Sequence, residues 1–197
     1  MILSTAYFPP VEYFSFLAER PQVLLEACES YRKQTWRNRC RILTANGPMD
    51  LRVPVVHGSS RLISRIEIDW STPWLRQTQY AIDTAYYSSP FFEYYRDELF
   101  ELMDRRPRTL WELNLDLIGF FCAKIGIAPQ IAPTTEWRES YPEDLRNSID
   151  PKRPPVRECR PYWQVFREKF GFTGGLSVAD LLFNEGPESL GFLTPLG

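Results

Sequence analysis

Five cations fall within eleven residues: Arg32, Lys33, Arg37, Arg39 and Arg41 run from just after Tyr31, interleaved with Gln34, Trp36 and Asn38. A guanidinium fork binds phosphate or carboxylate through two parallel hydrogen bonds, and lysine adds a compact point charge. This stretch is the first candidate for an anion site, with Tyr31, Lys33, Gln34, Arg37, Asn38 and Arg39 as ligand contacts. The competing reading is a solvated face whose charges pair internally, the usual fate of a charged run. Nucleic acid is not expected as a partner. The formal net charge is -2, so no global field gathers polyanions around this local patch.

Other chemistry is sparse. His57 is the only histidine; beside Gly58 and Ser59 it is a candidate general base, or else an exposed loop residue. The four cysteines, Cys28, Cys40, Cys122 and Cys159, form no Cys-x-x-Cys pair, so no zinc ribbon is expected and they read as reduced thiols. No nucleophile elbow, Walker loop or dinucleotide fingerprint occurs, so no residue is assigned to a metal and the sequence leaves the cofactor unknown. Asp180 and Asn184 lie in Leu176-Ser177-Val178-Ala179-Asp180-Leu181-Leu182-Phe183-Asn184. The preceding Gly174-Gly175 permits close backbone approach to a ligand. Asp180 is a candidate catalytic carboxyl and Asn184 a ligand contact, against a simpler reading as a capped core helix. Tyr7 and Tyr13 flank Pro9-Pro10 and can present hydroxyls, Tyr7 to the reaction and Tyr13 to the ligand, against a simpler reading as core. Arg37→Ala and Asp180→Ala are expected to weaken ligand binding without large loss of stability.

The elements that must position these residues follow from pattern. Residues 2–8 read as a buried strand ended by Pro9-Pro10, 11–18 as a helix, and 23–27 as a second strand, a right-handed parallel crossover. Asn46-Gly47 between 41–44 and 51–56 predicts a hairpin with a type I′ turn. Ile63, Ile66 and Ile68 mark a further strand. Helical spacing predicts helices over 73–86, 90–104 and 109–125, the last with Thr109 and Glu112 as a capping box and Gly126 as its stop. A strand follows near 129–133. The proline-rich stretch 139–161 reads as an irregular surface excursion, and a short helix over 178–184 closes the chain. The expectation is a single α/β domain spanning 1–197, a mixed and mostly N-terminal sheet flanked by helices, with a helical cluster at 73–125; the alternative is α+β. No apolar run is long enough to span a bilayer, and Met1-Ile2-Leu3-Ser4 lacks the basic start of a secretory leader, so a cytoplasmic location is expected.

An ordered set of motifs carries a family resemblance. It begins with Ser4-Thr5-Ala6-Tyr7-Phe8-Pro9-Pro10-Val11-Glu12-Tyr13-Phe14 and continues with Tyr31-Arg32-Lys33-Gln34-Thr35-Trp36-Arg37-Asn38-Arg39-Cys40. Ser88-Ser89-Pro90-Phe91-Phe92-Glu93-Tyr94-Tyr95 and Asp180-Leu181-Leu182-Phe183-Asn184-Glu185-Gly186-Pro187 follow in order. The chain resembles the WbqC-like family from end to end. The resemblance implies a bacterial protein of O-antigen or other surface-polysaccharide assembly. It also implies a transferase acting on a small-molecule substrate such as a nucleotide sugar, with glycine or another aminoacyl group passed to an activated sugar. A non-catalytic binding or assembly protein of that pathway is the alternative. Related chains often carry His-Glu-Asn-Tyr where this one has Cys28-Glu29-Ser30-Tyr31.

Overall fold

A computed structural model describes residues 1–194. Strand β1 (Ile2–Ser4) is wholly buried, and helix α1 (Val11–Glu19) carries the chain back to β2 (Gln22–Glu26) beside it. The two strands are parallel, Ile2 opposite Leu24 and Ser4 opposite Glu26. Later in the chain β5 (Gln130–Pro133) adds itself to the other edge of β2, also parallel. The hairpin of β3 (Arg39–Thr44) and β4 (Gly47–Arg52) forms a separate antiparallel pair. The architecture is thus mixed α/β: a small parallel sheet and an antiparallel pair, flanked by helices.

The helical cluster is built as its spacing requires. Helices α2 (Trp74–Tyr86), α3 (Phe92–Asp104) and α4 (Leu110–Ile125) follow one another through short loops. Thr109 accepts the Glu112 N–H while the Glu112 carboxylate accepts the Thr109 N–H, so the capping box forms. Gly126 stops α4 with φ 85°, a left-handed conformation that glycine adopts without steric cost. Leu113, Leu117, Ile118 and Phe121 on α4 pack in the core, where Phe121 meets Phe8 and Phe14 edge to face. The short α5 (Arg167–Phe170) precedes α6 (Val178–Glu185), and α7 (Ser189–Leu193) packs against α1. No helix among the described residues is long and apolar enough to cross a membrane. All four cysteines are free thiols.

Three local expectations are corrected. The first strand stops at Ser4, because Tyr7 turns its N–H onto the Trp36 carbonyl and Phe8 takes a positive φ of 42°. The hairpin loop is Ala45-Asn46, not Asn46-Gly47. Positive φ is carried by Gly47 alone, and Thr44 Oγ1 fixes the turn by donating to the Gly47 carbonyl and accepting from the Asn46 N–H. A type I′ turn needs positive φ at both central residues, so none forms. Residues 63–68 make a 3₁₀ turn (Ile63–Arg65) and isolated bridges to Val55 and Thr109, not a strand. Their isoleucines are buried, as the apolar spacing requires, but no neighbouring strand runs alongside to extend the ladder.

Candidate functional site

Three segments far apart in sequence are tied together beyond the carboxyl end of β1. The Tyr7 N–H bonds the Trp36 carbonyl (2.8 Å), and the Val11 N–H bonds the Leu176 carbonyl (3.0 Å). Val178 and Ser177 in turn donate to the Pro9 and Arg41 carbonyls, each at 2.8 Å. The turn before α1, the basic segment and the start of α6 therefore share one region. In open parallel sheets this carboxyl edge is where ligands bind.

The side chains there divide between an interior web and a surface cleft. In the web, Arg37 clasps the Glu29 carboxylate with Nε at 2.7 Å and Nη2 at 2.5 Å, and Nη2 also reaches Ser4 Oγ. Ser4 Oγ donates to the Arg146 carbonyl. The Arg146 guanidinium pairs with Glu26 (2.7 Å) and Asp144, donates to the Arg138 and Glu139 carbonyls, and lies against the rings of Trp137 and Tyr141. Thr134 Oγ1 completes the set by donating to Glu26. Arg37, Glu29, Arg146 and Glu26 are all buried, and each charge has its partner, which is what makes buried charge tolerable. This web fastens the excursion after β5 onto the sheet edge. It fills the crevice that would otherwise be open there, leaving a cavity of only about 10 Å³ among Ser4, Thr5, Tyr13, Trp36 and Arg37.

The sequence-predicted residues are placed as follows. Arg39 and Arg41 both grip Asp50 across the hairpin, at 3.0 and 2.9 Å. Asn38 donates to the Val53 carbonyl. Tyr13 donates to the Ser4 carbonyl, and burial raises its phenol far above the usual range. Tyr7 is wholly buried, its hydroxyl approaching Thr78 without closing a hydrogen bond. Tyr31 is half-buried, and Lys33 and Gln34 are exposed; Gln34 accepts from Lys152 across the loop gap. Asp180 is buried: its Oδ2 accepts from the Tyr162 hydroxyl (2.7 Å) and Gln164 Nε2 (2.9 Å), and the Tyr86 hydroxyl lies near it. Burial pushes the Asp180 carboxyl up to about 6, against the pull of those donors. Asn184 donates to the Asp180 carbonyl and accepts from Ser89. His57 is exposed on the loop after β4, apart from all of these. Tyr13 and Arg37 touch the small cavity; none of the predicted residues lines the larger clefts.

Those clefts lie one residue away from many of them. The larger, of about 540 Å³, is walled by Glu12 and Trp36, by Arg41 and Arg153, by Phe172, and by the backbone of Gly174-Gly175. Arg41 gives its Nε to Asp50 and lies over the Trp36 ring at 5.6 Å, so its terminal amines are uncommitted among the described residues. Arg153 makes no side-chain hydrogen bond there either, and only its backbone N–H is used, toward Asp150. Glu12 is 8% exposed. Its Oε2 accepts the Val156 N–H at 2.9 Å, while Oε1 accepts from no described residue. Burial raises its carboxyl above the usual range, and the Arg157 and Val156 amides only partly offset that. The cleft can therefore hold an anion on two guanidiniums, lay a flat group on Phe172, and take up a proton at Glu12.

Glu12, Arg153 and Phe172 were not singled out by the sequence. Glu12 had a usable signal, since it sits in the first turn of the helix that follows a parallel strand, at the ligand edge. Arg153 and Phe172 had none, because loop paths through proline-rich sequence are not fixed by periodicity. Gly174-Gly175 does lie on the cleft.

Comparison with known proteins agrees with the motifs. The model of the WbqC-like protein family matches residues 5–151, about three quarters of the chain. The uncharacterized protein Rv1507c of Mycobacterium tuberculosis (strain ATCC 25618 / H37Rv) is 24% identical, over 98% of this chain and 96% of that protein. No solved structure matches.

Proposed function

This chain belongs to the WbqC-like protein family, and from that premise we propose that it is a cytoplasmic transferase of surface-polysaccharide (O-antigen) assembly, acting on a nucleotide sugar held in the larger cleft. In this reading Arg41 and Arg153 hold the diphosphate, and Phe172 supports a flat ring. Gly174-Gly175 lets the ligand approach the backbone. Glu12 takes the proton from the sugar amine or hydroxyl as it attacks the carbonyl of an activated glycyl or other aminoacyl donor, whose bond to its activating group breaks and which releases that group with the bonding pair. The single observation that carries the reading is the Glu12 carboxyl, with an uncommitted oxygen, facing the same space as the Arg153 guanidinium and the terminal amines that Arg41 does not give to Asp50. Asp180 acts here as a positioning residue. Gln164, held by Asp180, grips Thr173 through both its carbonyl and its N–H (3.0 and 2.9 Å), and Thr173 adjoins the Phe172 wall.

A thermal-shift panel tests this. Uridine diphosphate sugars should raise the melting temperature more than uridine, glycine or inorganic phosphate. A ligand at a hundred times its Kd stabilises the native state by about 2.7 kcal/mol. Mixing a nucleotide amino sugar with an activated aminoacyl donor should give the mass of the aminoacylated sugar with wild type and not with Glu12→Gln. Absence of any nucleotide-sugar shift rejects the reading.

A further inference from the structure

A second cleft, of about 370 Å³, adjoins the larger one between α1 and α7. It shares Glu12, Glu158, Cys159 and Pro161 with the larger cleft, and adds Ser15, Arg160 and Phe192 among others. The two clefts differ in the charge they leave free. In the larger one Arg153 and the terminal amines of Arg41, whose Nε is held by Asp50, are free among the described residues. In the smaller one the cations are already employed. Arg157 is forked onto Glu19 at 2.7 and 3.0 Å with Phe16 beneath it, and Arg160 donates to the Gly191 carbonyl at 2.6 Å over the Phe192 ring. The carboxylates are not so employed. Glu158 has no partner among the described residues, and Glu12, more than nine-tenths buried, keeps Oε1 free. Arg157 is neutralised by Glu19, which leaves two carboxylates with spare acceptor sites, buried Glu12 and exposed Glu158, against the single unpaired charge of Arg160, a balance that favours a cation with N–H donors.

We propose that the smaller cleft is a second binding site, for a small molecule bearing a primary ammonium group, and that its ligand meets the Glu12 carboxylate that the two clefts share. The ammonium donates to Glu158 and Glu12, two charge-assisted hydrogen bonds. Ser15 adds no competing donor, because its hydroxyl is turned onto the Glu12 carbonyl at 2.7 Å. This rests on the larger cleft being a ligand site only in respect of the meeting point; the ammonium site stands on its own lining.

The test uses glucosamine as probe, at slightly acidic pH where its amine is charged, with N-acetylglucosamine as the same ring without the charge, read by ligand-observed NMR titration. Two blocking variants separate the clefts. Thr194→Trp fills only the smaller one, and Gly174→Trp, at an exposed glycine with no close neighbour and no positive φ, fills only the larger. Melting curves check that both fold. Glucosamine is expected to bind wild type and Gly174→Trp alike, to lose affinity by about tenfold or more in Glu158→Gln, and to be lost in folded Thr194→Trp. N-acetylglucosamine should bind at least about tenfold more weakly than glucosamine. Equal binding of the two sugars, no binding of either, or glucosamine binding that survives Thr194→Trp overturns the proposal. Uridine diphosphate glucose run in parallel reports the larger cleft separately, so failure of the nucleotide-sugar reading leaves the glucosamine result intact and readable.

Discussion

At the residue scale the main lesson is that charge spacing names the neighbourhood, and burial decides the role. Arg37 and Asp180 look alike in sequence as polar residues in ligand-like motifs, and both turn inward onto side chains of the protein itself. Arg37→Ala is therefore expected to leave Glu29 as an uncompensated buried charge and to destabilise the fold. The same logic applies to Arg146→Met, which strands Glu26 at a cost of about 3–5 kcal/mol in denaturant unfolding; adding Glu26→Gln should recover part of that loss. Asp180 gives a pH prediction with a definite sign. Its carboxyl titrates near 3.8 when unfolded and at about 6 in the fold, so the native state binds the proton more tightly. Its contribution is most favourable below about pH 4 and is lost as pH rises through about 6, on the order of 3 kcal/mol in all. Asp180→Asn, which cannot ionise, should lose less stability relative to wild type at neutral pH than near pH 4. A difference independent of pH would show that this carboxyl does not titrate in the native state over that range.

At the scale of elements, local rules served wherever a segment supplies its own partners. Helices α2, α3 and α4 begin within two residues of where apolar spacing and caps put them. The crossover from β1 through α1 to β2 is parallel, as the order strand–helix–strand requires. The capping box is worth testing directly: Thr109→Ala should cost about 1 kcal/mol by losing the bond to the Glu112 N–H. Failures occurred where a partner comes from far away. The 63–68 segment has strand-like isoleucines and only isolated bridges to Val55 and Thr109; the hairpin turn is the exception, where the adjacent Thr44 overrides Asn46-Gly47. One junction was illegible for the same reason. Gly186, at the end of α6, sits where an added Cβ would come within 2.5 Å of the Phe91 ring, with φ at 53°. Gly186→Ala is expected to cost about 2–4 kcal/mol through overpacking and backbone strain, read as a lowered denaturation midpoint.

At the scale of the whole molecule, the sequence placed three segments that the fold brings together, but not which of their side chains face water. The turn at 7–13, the basic stretch 31–41 and the Gly174-to-Ser177 approach meet through main-chain hydrogen bonds. The cleft is lined by Glu12 and Trp36 while their neighbours Tyr13 and Arg37 turn inside, and of the two arginines spaced on β3 only Arg41 reaches it, Arg39 serving the hairpin. The proline-rich excursion, legible only as irregular, supplies Arg146 to the web and Arg153 to the cleft. The central claim is that the larger cleft binds an anionic nucleotide sugar through Arg153 and the free terminal amines of Arg41. The most direct measurement is calorimetric titration of uridine diphosphate glucose into wild type, Arg153→Ala and Gly174→Trp, with melting curves for each. Saturable binding to wild type, weakened by about tenfold or more in both variants at unchanged melting temperature, is the predicted result. Binding absent from wild type, or equal in all three proteins, would contradict it.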